Sequence, residues 1–229
     1  MKHEIMSGPG AAVAKIYLDQ GEVFTCEVGA MVAMSTRVTV ETTSKEKGGK
    51  GGLMKGLRRM FSGENFFLNH FTSQADEQYL IIGSTFAGDV IHHHLEQGAL
   101  IVQGGSWLAS DPNISVDASF QGLGKAFFSG EGAFWVKCTG MGSVFINSFG
   151  AIYEVDVDGD YIVDTGHIVA FEDSLEFSIE KAGSSLIGSF LGGEGLVCRF
   201  KGKGKLYCQS HNPPGFGGTL RSSLKPRKR

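Results

Sequence analysis

Two short motifs occur three times in this chain, in the same order each time. The first is glycine, a variable residue, two large apolar residues and alanine, at residues 29–33, 105–109 and 166–170. An acid or amide stands two residues before the glycine in every copy: Glu27, Gln103 and Asp164. Recurring motifs of this kind are typical of proteins built from repeated units that pack on one another. The chain is therefore predicted to contain three diverged copies of one unit.

The second motif is a Gly-Glu pair followed by a short apolar stretch, with its carboxylates at Glu64, Glu131 and Glu194. At equivalent positions, these three carboxylates could meet around a pseudo-threefold axis and bind a cation. Alternatively, each could cap a backbone N–H at the start of the next strand. Repetition favours the structural role, because catalysis usually needs an acid and a base in different environments.

The pattern between the motifs is that of strands. Apolar and polar residues alternate over 153–158 and over 175–180, which is the period of half-buried strands. The 34 glycines suit many turns, and no long amphipathic helix is indicated. Units of ~60 residues bury only about 60% of their surface. The predicted fold is all-β: three repeats of a two-layer β unit of the double-stranded β-helix type, packed together.

The motifs also place the predicted boundaries. The first repeat covers 1–83 and carries a Lys/Gly-rich insertion at 45–52, the second covers 84–149 and the third covers 150–212. Residues 213–229 are predicted to be a basic flexible tail.

Charge and cysteine usage indicate the class of partner and the compartment. Formal net charge is −3, yet the last nine residues carry five basic side chains and no acid, so the rest of the chain is distinctly acidic. An acidic body disfavours nucleic acid as a partner. The four cysteines lack CxxC spacing and are interpreted as reduced thiols. With no signal-type apolar segment and no apolar run of ~20 residues, the expected location is cytoplasmic.

The run His92-His93-His94 could supply two imidazoles to a metal, because His92 and His94 share one face of a strand. Alignment of the repeats places His93 with the core-like Ile16, so His93 is predicted to point inward and its neighbours outward. A cupin-type site would need a spaced Glu and a further His, whereas Glu96 is too close. No metal or other cofactor is predicted.

The chain carries no recognised catalytic motif. The lysine-glycine stretch at 45–55 lacks the order of a P-loop, and the GxG pairs lack the third glycine and the βαβ context. A GxSxG nucleophile elbow is absent as well. We therefore expect no enzyme activity and no catalytic residues.

Large apolar side chains cluster before two of the Gly-Glu motifs. They are Leu53, Met54, Leu57, Met60, Phe61, Leu123, Phe127 and Phe128. Exposed apolar patches usually mark contact surfaces. We expect these loops to join a homo-oligomer of two or three copies, since closed symmetry is the usual outcome for homo-oligomers.

The residues at 29–34, the lysine-glycine loop leading to 61–64, and the stretch at 67–72 resemble the altered-inheritance-of-mitochondria family, formerly a domain of unknown function. The resemblance covers nearly the whole chain. It implies a β fold related to the tryptophan RNA-binding attenuation protein, with units in a ring-like assembly, and no established enzyme activity or catalytic residues. Mitochondrial members are linked to inner-membrane organisation. Because this sequence lacks a transit peptide and ends in a basic tail, the mitochondrial location is not carried over.

The predicted function is that of a non-enzymatic, self-associating interaction or scaffold protein, with protein or lipid as a further partner and a link to membrane organisation. Two alternatives belong to other classes. One is a nucleic-acid-binding ring by analogy of fold, which is weak support for function. The other is a cupin-like metal enzyme using His92 and His94.

Overall fold

The structure, a computed structural model, describes residues 1–44, 67–117, 135–181 and 196–224. Strands dominate these residues, which confirms the all-β prediction. The first strands are β1 (His3–Met6), β2 (Val13–Leu18), β3 (Val23–Glu27), β4 (Met31–Met34), β5 (Val38–Ser44), β6 (Phe67–Ser73) and β7 (Gln78–Gly83). Next are β8 (Val90–Leu95), β9 (Ala99–Gln103), β10 (Trp107–Ser110), β11 (Ser115–Asp117), β12 (Trp135–Thr139) and β13 (Gly142–Asn147). The last are β14 (Ile152–Asp164), β15 (Ile168–Glu172), β16 (Glu176–Lys181) and β17 (Leu196–Gln209), followed by helix α1 (Pro213–Ser223).

Three units with the same antiparallel pairing make up the fold. In the first unit, β2 to β7, strand β7 pairs with β2 and β4, while β6 pairs with β3 and β5. In the second unit, β8 to β13, strand β13 pairs with β8 and β10, while β12 pairs with β9 and β11. Each of these two units therefore contributes strands to two sheets.

The third unit, β14 to β17, fuses the strands of its two sheets. Both β14 and β17 are long, so residues 152–158 pair with 203–209 and residues 160–164 pair with 197–201. Strand β15 then pairs with the second half of β17 and β16 with the first half. The pairing matches that of the other units, with one continuous hairpin in place of two pairs of strands.

Neighbouring units are joined by strand pairing, and we call each such contact a joint. At the first joint β3 pairs with β10, and at the second β9 pairs with β15. The result is a six-stranded sheet shared by the first and second units and a seven-stranded sheet shared by the second and third. The four-stranded sheet β1-β2-β7-β4 belongs to the first unit alone.

The hydrophobic core also crosses the joints. Leu108 and Phe145 of the second unit lie in the same buried cluster as Phe24 and Phe71 of the first unit. Val169 of the third unit lies in a cluster made mainly by the second unit. Each unit thus completes the core of the unit before it, as expected for units too small to bury enough surface alone.

The first motif has the same order of residues in all three units but not the same backbone conformation. Gly29 has φ +91° in a turn, a left-handed conformation that favours glycine. Gly105 and Gly166 lie instead in single-turn 3-10 helices, at 104–106 and 165–167. All three glycines connect equivalent strands, but only Gly105 and Gly166 share a backbone conformation.

The segment predicted to be a basic flexible tail contains a helix over Pro213–Ser223. Helix α1 begins after Asn212, whose side-chain oxygen accepts a hydrogen bond from the Gly215 N–H, and a proline occupies its first turn. The Phe216 ring packs against Phe149, with ring centroids 5.2 Å apart. Three glycines give this segment a low intrinsic helix propensity, so the sequence pattern does not indicate a helix. The contact between Phe216 and Phe149 stabilises the helix instead.

Candidate functional site

Several predicted site residues lie outside the described residues. These are the carboxylates of Glu64, Glu131 and Glu194, the insertion at 45–52, and the apolar loops at 53–61 and 123–128. Their roles therefore stay predictions.

The histidine run of β8 lies where the alignment of the repeats predicted. His93 is buried, and its Nδ1 lies 2.9 Å from the Tyr207 hydroxyl. Burial lowers the pKa of His93. His94 is exposed. The prediction that His93 points inward and His94 outward is confirmed.

His92 is half-buried, which differs from the fully solvated position expected for it. Its ring lies against His3 of β1, with ring centroids 4.3 Å apart, and against Phe145. The Nε2 atom is buried and has no hydrogen-bond partner among the described residues. The N-terminal strand β1 covers this ring, a long-range contact that the alignment of repeats does not contain.

The histidines do not form a metal-binding group by themselves. Within the described ranges, no three or more His, Cys, Asp or Glu side chains are arranged to hold a metal ion. The two rings of His92 and His94 have centroids 6.3 Å apart. The cupin-like alternative gains no support from this geometry.

The protonation of His92 leads to a prediction about acid stability. Burial, together with the nearby His3, His94 and His93, lowers its pKa from 6.5 to about 4, and Asp111 opposes this shift. Between pH 6.5 and 4 the unfolded chain therefore binds more protons than the folded chain, so folding stability falls as pH falls. At about 1.4 kcal/mol per pKa unit, the full window corresponds to at most ~3 kcal/mol, reduced because the ring is partly solvated.

We expect His92→Gln to lose less stability than the wild type when the pH is lowered from 7 to 4.5. Urea unfolding at pH 7, 5.5 and 4.5 measures the difference. The His3→Gln variant should show a smaller change in the same direction, because the charge on His3 is one of several causes of the shift. Equal losses for the wild type and His92→Gln would contradict the assignment.

The cysteines are packing residues. Cys26, Cys138, Cys198 and Cys208 are all buried and free of disulfides. Burial raises the pKa of Cys26 and raises that of Cys208 to about 11. These two thiols remain protonated at neutral pH, and the thiolate is the nucleophilic form.

Strand β4 exposes large apolar side chains that are buried in the other units. Met31 is 42% exposed and Val32 is 60% exposed. Their counterparts in β10 are Trp107, which is fully buried, and Leu108, which is 1% exposed. The corresponding residues of β15 are buried as well. The difference arises because β10 and β15 pair at joints, whereas among the described residues β4 pairs only with β7.

The exposed side chains of β4 extend into a wider face that is mainly apolar and also carries Lys15, which lies opposite Ile81. Val13 of β2 and Val32 lie on either side of Gly83, and Ile81 beside them is half-buried. In the second unit the matching face, which includes Leu108 and Phe145, is covered by the first unit. The surface that the second and third units bury is therefore exposed in the first unit.

The third unit has the complementary free edge, on the second half of β14. Residues 160–164 of β14 correspond to β3 and β9, which pair at the two joints. Here Ile162 is 49% exposed and Tyr161 is exposed too, while their counterparts Ile101, 2% exposed, and Leu100 are buried. Within the described part of the chain, β14 lies at the end of its sheet and pairs only with β17.

Sequence reasoning did not find these two edges. Val32 and Leu108 are both apolar, as are Ile162 and Ile101, so nothing in the local sequence separates the exposed member of each pair from the buried one. The available signal was the repeat itself, because the first and last units of an array each lack one neighbour. Unpaired strands with exposed apolar residues are templates for further pairing.

The fold and these edges define a class: an all-β protein of three tandem units joined edge to edge, in which the described residues leave one strand edge free at each end of the array. The profile of the family described as Mitochondrial biogenesis AIM24 matches residues 3–211. The chain belongs to this family, which confirms the resemblance found in the sequence.

Two relatives extend the comparison. An uncharacterized protein of Streptococcus pyogenes serotype M6 is 32% identical over 218 residues, which is 93% of this chain and 86% of that protein. The X-ray crystal structure of a Streptococcus pyogenes protein, a structural-genomics target, is similar with a TM-score of 0.78 and 28% identity. It covers 97% of this chain and 99% of that chain.

Of the helices that lie in the described segments, none is long and apolar enough to cross a membrane.

Proposed function

We propose that this chain is a non-enzymatic, self-associating scaffold protein. The observation that carries the proposal is the exposure of Val32 and its neighbours on a face that is buried in both other units. Burial of apolar surface is worth roughly 25 cal/mol per Å². A surface of this composition is expected to associate, and the repeat supplies the mode of association.

Charge supports an interaction with protein more than one with nucleic acid. Along the third unit, Asp156, Asp158 and Asp160 of β14 face Lys205, Lys203 and Lys201 of β17. Positive and negative side chains alternate across this ladder and offset each other. A nucleic-acid-binding ring would instead need a continuous basic surface.

The test is the mass of the protein in solution. We expect light scattering at micromolar concentration to give a multiple of 24.5 kDa, two or three copies, with dissociation on dilution. A mass of 24.5 kDa at every concentration would overturn self-association. Co-purification from native cells, with mass spectrometry of bound protein, lipid and nucleic acid, extends the test to other partners.

A further inference from the structure

We infer that copies of this chain join head to tail, with β4 of one copy pairing antiparallel with residues 160–164 of another copy. This inference rests on the proposed self-association and specifies its geometry. The two strands are equivalent to those that form the joints inside the chain, and among the described residues each has one edge without a partner strand. A contact between copies would repeat a contact that the chain already makes twice.

The two internal joints share one register. At the first joint Ala109 pairs with Cys26, and at the second joint Ala170 pairs with Val102. These positions are equivalent in the repeats, since each alanine ends the first motif. The next pairs along the joints, Ser110 with Thr25 and Phe171 with Ile101, are equivalent too.

The same register can be transferred to the free strands. It pairs Ala33 of one copy with Val163 of the next copy, and Met34 with Ile162. The first motif alone fixes this alignment. Ala33 is the last residue of the motif in the first unit, and Val163 directly precedes Asp164, the acidic residue before the motif in the third unit. A register shifted by one residue would turn each apolar side chain to the other face of the sheet.

The transferred contact would also bury the exposed face. Leu108 packs into the core of the first unit and Val169 into that of the second. By the same relation, Val32 would pack on the third unit of the neighbouring copy, where Phe171 and Phe200 form the core. Ile162 would take the place that Ile101 has at the second joint.

The two surfaces are different, so the contact is heterologous. Such contacts form rings when the rotation closes and filaments when it does not. Every copy adds three units to the array. One free β4 edge and one free β14 edge remain until the assembly closes. In this arrangement β4 pairs with β14 and not with the β4 strand of another copy, so the contact is not twofold.

Cysteine cross-linking tests the register. The variants Met34→Cys and Ile162→Cys are made separately, and directly opposed residues of an antiparallel pair have Cα atoms ~4.5–5.5 Å apart, within disulfide range. Mixing the two variants under mild oxidation should give a disulfide-linked dimer, whereas either variant alone should give none. The native cysteines are buried, and oxidised wild type provides the background.

The matched control changes the register only. Met34→Cys mixed with Asp160→Cys places the thiols two residues out of register, beyond disulfide reach. We expect the yield of dimer to fall at least about tenfold relative to the in-register pair. Equal yields would overturn the register.

Other outcomes separate this inference from the proposed function. An oligomer by light scattering with no in-register cross-link would overturn the head-to-tail contact and leave self-association standing. A monomeric mass would overturn both. A third protein carries both Met34→Cys and Ile162→Cys in one chain. A disulfide formed within that chain, detected as an unchanged mass with altered mobility, would show that the array closes on itself and would overturn the inference.

Hydrogen exchange provides a measurement that needs no cysteine variant. Backbone amides of β4 and of residues 160–164 should exchange at least about tenfold more slowly in the concentrated protein than in dilute protein. Amides of β11, at another sheet edge, should exchange at the same rate in both. Equal exchange of the two free strands at both concentrations would contradict their pairing.

Discussion

Val32→Asp should convert the assembled protein into single chains of 24.5 kDa and leave the fold intact. Val32 is exposed in the isolated chain, so the aspartate remains solvated there. In the proposed contact the carboxylate would be buried without a partner, at a cost of several kcal/mol. A loss of ~3 kcal/mol corresponds to about 100-fold weaker association. Light scattering with far-UV circular dichroism measures both effects.

Two variants serve as controls for this result. Val40→Asp changes an exposed valine on β5, away from the proposed contact, and should remain assembled. Val169→Asp changes the position equivalent to Val32 in the third unit, which is buried at an internal joint, and should unfold the chain. An assembled Val32→Asp protein would show that β4 does not mediate association.

Trp107→Ala should lower the free energy of unfolding by about 3–5 kcal/mol, because it removes a fully buried indole and leaves a cavity. The matched variant is Met31→Ala, at the same position of the first unit. Met31 is substantially exposed, so its truncation should change the stability of the single chain by only about 0.5 kcal/mol. Urea unfolding gives both values.

The comparison should be made in a Val32→Asp background, where assembly does not contribute to the unfolding free energy. The loss of unfolding free energy should then be several times larger for Trp107→Ala than for Met31→Ala. If Met31→Ala costs as much as Trp107→Ala, the exposure of β4 in the structure is wrong. If Trp107→Ala costs less than ~1 kcal/mol, packing of Trp107 in the core of the second unit contributes little to the fold.

Local patterns were sufficient for much of the fold. Alternation of Phe177 and Ile179 with polar residues predicted the strand that is β16. Comparing the copies with one another predicted that His93 is buried, because Ile16 occupies its position in the first unit. Both inferences use short-range periodicity, which depends on the geometry of a single strand.

Contacts between distant segments produced the differences. His92 is partly covered because β1, outside the three units, places His3 on its ring. Helix α1 forms within the segment predicted to be a basic flexible tail, since Asn212 caps it and Phe216 packs on Phe149. Neither contact leaves a periodic pattern in the sequence.

The sequence by itself determined that this protein has three related β units and which side chains each unit directs toward a core. It did not distinguish Val32 from Leu108 or Ile162 from Ile101, because both members of each pair are apolar residues at the same repeat position. Only the tertiary structure decided which of them are buried, since burial at a joint depends on whether a neighbouring unit supplies the partner strand. The exposed members lie at the two ends of the array, where that neighbour is missing within the chain.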